Sequence, residues 1–184
     1  MVGINLAGKF LLVFLLCGIC SCSNSQNRKK QQSRSSQISL ERNIEINRQL
    51  IGEEQKIIAR YVEDQALNMH TTETGLWYVI SEEGVGNNIV KGKVVTLDYQ
   101  VWLLDGTLCY SSANDGQKVF LVGQGGVESG LEEGILMLKK GSKATFIMPP
   151  HLAHGLIGDD GRIPSRAILR YEVEVIDVKN KNEN

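Results

Sequence analysis

The order of hydrophobic and polar positions divides the chain into four stretches. An uninterrupted apolar run occupies residues 10–16, whereas residues 23–37 contain only Ser, Asn, Gln, Arg and Lys. Within residues 53–67, Ile57, Ile58, Tyr61 and Val62 recur at helical spacing, which predicts one amphipathic helix. After Gly75 the pattern changes to short alternating runs separated by glycine-containing turns, which is typical of an antiparallel sheet.

The C-terminal stretch predicts strands at residues 76–81, 93–104, 107–112, 118–122, 143–148 and 167–178. The dipeptide Asp105-Gly106 predicts a tight hairpin between two of them. Leu131, Ile135 and Leu138 repeat at i, i+4 and i+7, so residues 127–138 are predicted to be helical. The expected fold class is therefore α+β, with an antiparallel β-sheet wrapped around one short α-helix and preceded by an N-terminal helix.

The N-terminus has the features of an export signal. The apolar run follows Lys9 and is too short to span a bilayer. Residues 19–22, with Cys22 last, resemble a bacterial lipobox, so we expect residues 1–21 to be removed and Cys22 to carry a diacylglycerol. Two acyl chains suffice for stable membrane anchoring. The alternative, a metal or disulfide cluster of Cys17, Cys20 and Cys22, is less favoured because no fold surrounds these residues in a leader.

The expected organisation after the leader is a flexible tether at residues 22–40, a helical segment at 41–70, one folded domain at 75–179 and a polar tail at 180–184. The tether is predicted because a stretch without apolar residues cannot bury enough surface to offset the entropy of ordering. We expect the helix to dock on its own domain, although pairing with a second copy or a partner protein stays open. After cleavage, with Cys22 lipidated, Cys109 is the one free thiol, so no internal disulfide is expected.

Composition excludes one class of function. The chain has 184 residues, 42% of them hydrophobic, and 20 basic against 21 acidic residues give a net charge of −1. This near-balance lacks the basic surplus of nucleic-acid-binding proteins. Nucleic acid is therefore not an expected partner.

A series of short motifs runs through the predicted domain. They are VVTLDY at 94–99, LDGT at 104–107, VFLVG at 119–123, GLEEGI at 130–135, HG at 154–155, IP at 163–164 and YEVEV at 171–175. In this order they resemble the FKBP-type peptidyl-prolyl cis-trans isomerases. The segments GLWY at 75–78 and HLAHGLIGD at 151–159 are similar to the gliding-motility-associated lipoprotein branch of that family.

The resemblance implies a rotamase that acts on X-Pro bonds of envelope proteins and aids their folding. The barrier to rotation is the loss of amide resonance, about 18–20 kcal/mol, so such a site needs an apolar pocket rather than a nucleophile, a metal or another cofactor. By resemblance, the catalytic pocket comprises Tyr99, Phe120, Leu131 and Tyr171. Strand alternation independently places Tyr99 and Tyr171 on the helix-covered side of the sheet.

The resemblance also implies a second group of pocket residues, several of which depart from the family pattern. The group comprises Cys109, Tyr110, Val127, Glu128, His154 and Ile163. Cys109-Tyr110 stands where the family has phenylalanine-aspartate, and Leu131 replaces a tryptophan. Glu128 takes an apolar position and His154 that of a tyrosine. We therefore expect weak binding of macrolide inhibitors and keep open a non-catalytic module that binds proline peptides or docks in an envelope or motility machine.

Three other sites are less favoured. His151 and His154 with Asp159 and Asp160 are metal-ligand types, but their spacing is loose. The glycine-rich residues 123–126 lack the spacing of a nucleotide fingerprint. A Cys109–His154 nucleophile is a weak pattern beside a buried cysteine.

The expected partners are therefore proline-containing polypeptides and the membrane, through the lipid anchor. The expected location is the cell envelope, at the outer membrane facing the periplasm. The number of copies in the assembly is left undetermined.

Overall fold

The computed structural model describes residues 23–182, with side chains described from residue 37 onward. The expected signal peptide and Cys22 lie outside these residues. The helices are α1 Ser23–Asp64, α2 Ser112–Asp115 and α3 Ser129–Ile135, with a 3-10 turn at Pro150–Leu152. The strands are β1 His70–Thr71, β2 Trp77–Glu82, β3 Lys93–Leu103, β4 Leu108–Ser111, β5 Lys118–Leu121, β6 Lys143–Met148 and β7 Leu169–Asn180.

The chain divides into two compact units, and the boundary along the sequence lies between Gln49 and Leu50. In the first unit the described residues all belong to α1, so the prediction of a flexible tether is wrong from Ser23 onward. Gln, Arg and Lys are strong helix formers. The lack of apolar residues showed only that this stretch does not pack in a core. It did not exclude a helix, because a helix is formed by backbone hydrogen bonds and does not require a buried face. Among the described residues no helix is long and apolar enough to cross a membrane.

The second unit contains the predicted antiparallel sheet. Its strand order is β1-β2-β6-β7-β3-β4, with β5 paired to the other half of β3. All six predicted strands are present, and the predicted hairpin joins β3 to β4 through Gly106 at φ +91°. The short elements β1 and α2 were not predicted, because two to four residues are too few to show a period.

The helix α3 packs against the inner face of this sheet. Leu131, Ile135 and Leu138 are fully buried, as their spacing predicts, although the helix ends at Ile135. Gly134 lies against the sheet, and a Cβ there would come within 2.6 Å of the Phe146 ring. A glycine at this position lets the helix pack closely on the sheet, and Glu128, the residue before the helix, lies at the candidate site.

The last turns of α1 dock on the second unit, to which they belong. Ile58 is fully buried beside Val62 and Ile147. Trp77 Nε1 donates to Gln55 Oε1 at 2.7 Å. The expected docking of this helix on its own domain is confirmed by the burial of Ile58 and Val62, whereas Ile57 from the same predicted set is exposed.

Candidate functional site

A cavity of about 200 Å³ opens between the inner face of the sheet and the loop that follows the 3-10 turn. We call this loop, residues 153–168, the flap loop. The lining residues are Tyr99, Val101, Tyr110, Lys118, Glu128, His154, Asp159 and Tyr171.

Two tyrosines on paired strands form the aromatic wall. Along β3, Val95, Leu97 and Val101 are buried on the same face as Tyr99, so alternation directs its ring inward. Tyr171 on β7 lies opposite Val101 and is 1% exposed. Burial and the nearby Glu128 carboxylate raise the pKa of Tyr171 far above its ordinary value, so it remains a phenol.

A buried carboxylate organises the polar side of the cavity. The Glu128 side chain is 8% exposed and accepts hydrogen bonds from the Tyr171 hydroxyl, His154 Nε2 and Lys118 Nζ. Burial by itself would raise the pKa of Glu128, but the Lys118 ammonium and the Tyr171 hydrogen bond outweigh it and lower the pKa. Glu128 is therefore a charged, fully partnered group inside the cavity.

Lys118 reaches into the space between the aromatic rings. Its Nζ lies 5.1 Å from the Tyr99 ring centroid and 5.5 Å from that of Tyr171, within the range of cation–π attraction. The same atom is 3.3 Å from Glu128 Oε2. An ammonium keeps water or another hydrogen-bond acceptor close to it. The interior of the cavity is therefore more polar than the tyrosine rings alone would make it.

A second carboxylate fixes the flap loop beside Tyr110. Asp159 accepts hydrogen bonds from the Tyr110 hydroxyl and from the amides of Gly161 and Ile163, at 2.9 and 2.8 Å for the amides. Burial would raise the pKa of Asp159, but these hydrogen bonds outweigh it and lower the pKa to about 2. The flap loop is thus held to the cavity by an ionised side chain.

The cavity opens into a cleft of about 440 Å³. Lys118, Glu128 and His154 line both spaces and form their junction, and the far side of the cleft is lined by Gly125, Gly126, Val127 and Ala153. An extended peptide with one ring-shaped side chain in the cavity therefore has room to continue along the cleft.

Comparison with known proteins gives the family. The family model for FKBP-type peptidyl-prolyl cis-trans isomerase matches residues 86–176. The "FK506-binding protein" of Neisseria meningitidis is 38% identical over 98 residues, which are 53% of this chain and 90% of that protein. The chain belongs to the FKBP-type peptidyl-prolyl cis-trans isomerase family.

Longer family members match over part of their length. The probable FKBP-type isomerase FkpA of Neisseria meningitidis is 38% identical over 59% of this chain and 39% of its own length, and a probable FKBP-type isomerase of Haemophilus influenzae is 37% identical over 63% and 48%. The chain thus spans less than half the length of these two relatives. Among solved structures, FkpA from Escherichia coli has a TM-score of 0.61 at 27% identity, over 87% of this chain and 75% of that one. AtFKBP13 has a TM-score of 0.58 at 30% identity, over 60% and 98%.

The FKBP domain brings most of the predicted site residues together. Tyr99, Tyr110, Glu128, His154 and Tyr171 line the cavity, and Val127 lines the cleft. The other four lie behind the lining, in the core cluster that supports it: Cys109, Phe120, Leu131 and Ile163, each 7% exposed or less.

Lys118 is the lining residue that sequence reasoning missed. Phe120, which was predicted to line the pocket, lies in the core cluster behind it. Alternation puts both on the inner face of β5, and the exposed Val119 lies between them. At the start of the strand the inner face borders the cavity, whereas two residues later it borders the core. The sequence did contain a signal for Lys118, because strand alternation directs this lysine to the inner face, where a charged side chain is unusual unless it borders a cavity.

Two alternative sites find no support in the described part of the chain. Burial raises the pKa of Cys109, with a smaller contribution from Asp159, so its thiol is held in the protonated, unreactive form. In the described part of the chain no three His, Cys, Asp or Glu side chains lie close enough to hold a metal ion. A separate open groove of about 520 Å³ is lined by Asp98, Glu172 and Glu174 among other residues, and Tyr99 is the single aromatic residue in its lining.

Proposed function

We propose that this FKBP domain catalyses cis-trans isomerisation of X-Pro bonds in polypeptides of the bacterial envelope, where a lipid on Cys22 anchors it. The cavity formed by Tyr99, Tyr110 and Tyr171 carries the proposal. It is closed by aromatic rings on the sheet side and opens into a cleft that accommodates the rest of the peptide.

The aromatic wall suits the chemistry of the reaction. When an X-Pro bond twists, the amide loses its resonance and becomes less dipolar, so a water-poor wall favours the twisted form over the planar one. The ring faces of Tyr99 and Tyr171 supply such a wall, and neither a nucleophile nor a cofactor takes part. Lys118 supplies hydrogen-bond donors for the substrate carbonyl oxygen at the rim.

The envelope location is supported by the sequence of the leader. An apolar run after Lys9 and a lipobox-like segment ending at Cys22 are the features of an exported lipoprotein. In this proposal an outer-membrane lipoprotein faces the periplasm. Replacing Cys22 by Ala should move the protein from the membrane fraction to the soluble fraction, and retention in the membrane would contradict the anchor.

The enzymatic proposal is tested by NMR exchange spectroscopy of an X-Pro peptide with the purified protein. We expect the cis and trans signals to exchange faster with the wild type and much less with Tyr99→Leu, which removes one ring of the wall. Tyr78→Leu is the matched control, because Tyr78 packs on the core from β2 and is outside the cavity lining. Equal acceleration by the Tyr99 variant would contradict this cavity as the site.

A second candidate function is a non-catalytic module that grips proline-containing segments, as in an envelope or gliding-motility assembly. The Lys118–Glu128 ion pair inside the cavity favours it, since a proline ring must share or displace the ammonium before it can stack on the tyrosines. A folded protein that binds the peptide, shown by shifts at Tyr99 and Tyr171, without accelerating exchange would support the module and reject the enzyme.

A further inference from the structure

Three donors from three different elements converge on Glu128. Tyr171 belongs to β7, Lys118 to β5 and His154 to the flap loop, while Glu128 directly precedes α3. His154 Nε2 lies 3.1 Å from Glu128 Oε1, the same oxygen that accepts the Tyr171 hydrogen bond, and Lys118 is on Oε2. The His154 side chain is 28% exposed and lies at the junction of cavity and cleft.

The chemistry of the carboxylate decides which atom carries each proton. An ionised carboxylate has no hydrogen and only accepts, so every contact to Glu128 must be donated by its partner. Glu128 is ionised because the Lys118 ammonium and the Tyr171 hydrogen bond lower its pKa despite burial. The hydrogen of the contact with His154 is therefore on Nε2. A neutral imidazole has one N–H, so Nδ1 is left with a bare lone pair.

We propose that Glu128 is a positioning residue that fixes His154 as its Nε2–H tautomer and makes Nδ1 a hydrogen-bond acceptor at the junction of cavity and cleft. Charged or titratable groups face this pair from each neighbouring element: Tyr99, Tyr110, Lys118, Asp159 and Tyr171. Of these, Lys118 and Tyr171 bond the same carboxylate, so they strengthen its role as acceptor and leave His154 to donate.

The assignment changes what the site offers a substrate, and this step rests on the proposed function. As a neutral imidazole, His154 cannot donate to the carbonyl oxygen of the residue before proline, because its one N–H is used on Glu128. It offers a lone pair to a substrate N–H instead. The donor at the junction is Lys118, whose ammonium carries three hydrogens and donates to Oε2 of Glu128.

Imidazole nitrogen NMR of the full-length protein, labelled with nitrogen-15 in histidine, tests the tautomer. At neutral pH we expect His154 to give the pattern of a single Nε2–H tautomer, and Glu128→Gln to introduce the Nδ1–H form, because an amide can donate to Nε2 as well as accept from it. A wild-type Nδ1–H pattern, or a pattern unchanged in Glu128→Gln, would overturn the proposal.

The chain offers two controls. His151 Nε2 lies 3.0 Å from the backbone oxygen of Thr74, a carbonyl acceptor that imposes the same tautomer without Glu128, so its signals should not change. Glu133→Gln removes a carboxylate of the helix α3 that accepts from the Thr74 hydroxyl and lines neither the cavity nor the cleft. If Glu128→Gln does not fold, Glu128→Asp and the wild-type pattern itself decide the question.

The outcome is separable from that of the proposed function. Absence of exchange with every X-Pro peptide would reject the enzyme, whereas the tautomer is read in the protein alone. Where exchange is seen, Glu128→Gln should change kcat/KM for the peptide at least threefold while Glu133→Gln leaves it unchanged. Equal rates for the three proteins would overturn the positioning role even with the tautomer as expected.

Discussion

Replacing Ile58 by Ala tests whether the end of α1 is part of the folded domain. Ile58 is fully buried in a cluster with Val62 and Ile147, and Trp77 packs against the same cluster. Ile-to-Ala changes at such sites lower the free energy of unfolding by about 2–5 kcal/mol, because less apolar surface is buried on folding and a cavity remains. We expect about 3 kcal/mol, because a helix on the outside of a sheet can relax partly toward it. The higher helix propensity of alanine offsets a few tenths of a kcal/mol of this loss of stability.

The matched control is the neighbouring residue. Ile57 is 53% exposed, so Ile57→Ala should change the free energy of unfolding by less than about 0.5 kcal/mol. Urea unfolding of the two variants and the wild type, followed by tryptophan fluorescence and by circular dichroism, measures the difference. In thermal unfolding about 3 kcal/mol corresponds to roughly 10 °C for a domain of this size.

The pair also separates two roles of the helix. If Ile58→Ala were as stable as Ile57→Ala, the docking of α1 described above would be refuted. The face around residues 57–62 would then be free to bind a partner protein. A large loss for Ile58 alone would leave only its exposed neighbours for that role.

Two further predictions concern the cavity. Tyr171→Phe removes a charge-assisted hydrogen bond to buried Glu128, so the free energy of unfolding should fall by about 1.5–3 kcal/mol in urea titration, and an unchanged midpoint would contradict the network. The pKa of Asp159, about 2 against an ordinary 3.8, implies stabilisation that is complete above about pH 5 and is lost as the pH falls from 4 toward 2. In hydrogen exchange, the protection of the flap-loop amides relative to an unfolded chain at the same pH should fall over that acid range in the wild type. Asp159→Asn should lose this pH dependence, because Tyr110 no longer contacts a carboxylate there. Identical pH profiles of protection in the two proteins would refute the prediction.

Local pattern was enough to predict much of this domain. Alternation identified the inner face of β3 and β7, and the Asp105-Gly106 turn identified the hairpin, because each depends on residues adjacent in sequence. The spacing of Leu131 and Ile135 likewise identified α3. The family resemblance then directed attention to Tyr99 and Tyr171, both of which line the cavity.

Tertiary structure alone decided what the cavity contains. Alternation shows that Lys118 and Phe120 point inward, yet only the position of β5 against its neighbours shows that one reaches the cavity and the other the core. The partners of Glu128 lie 10, 26 and 43 residues away, on elements that meet only in the folded chain. No sequence period reports such contacts, because hydrogen bonding between side chains depends on distance in space.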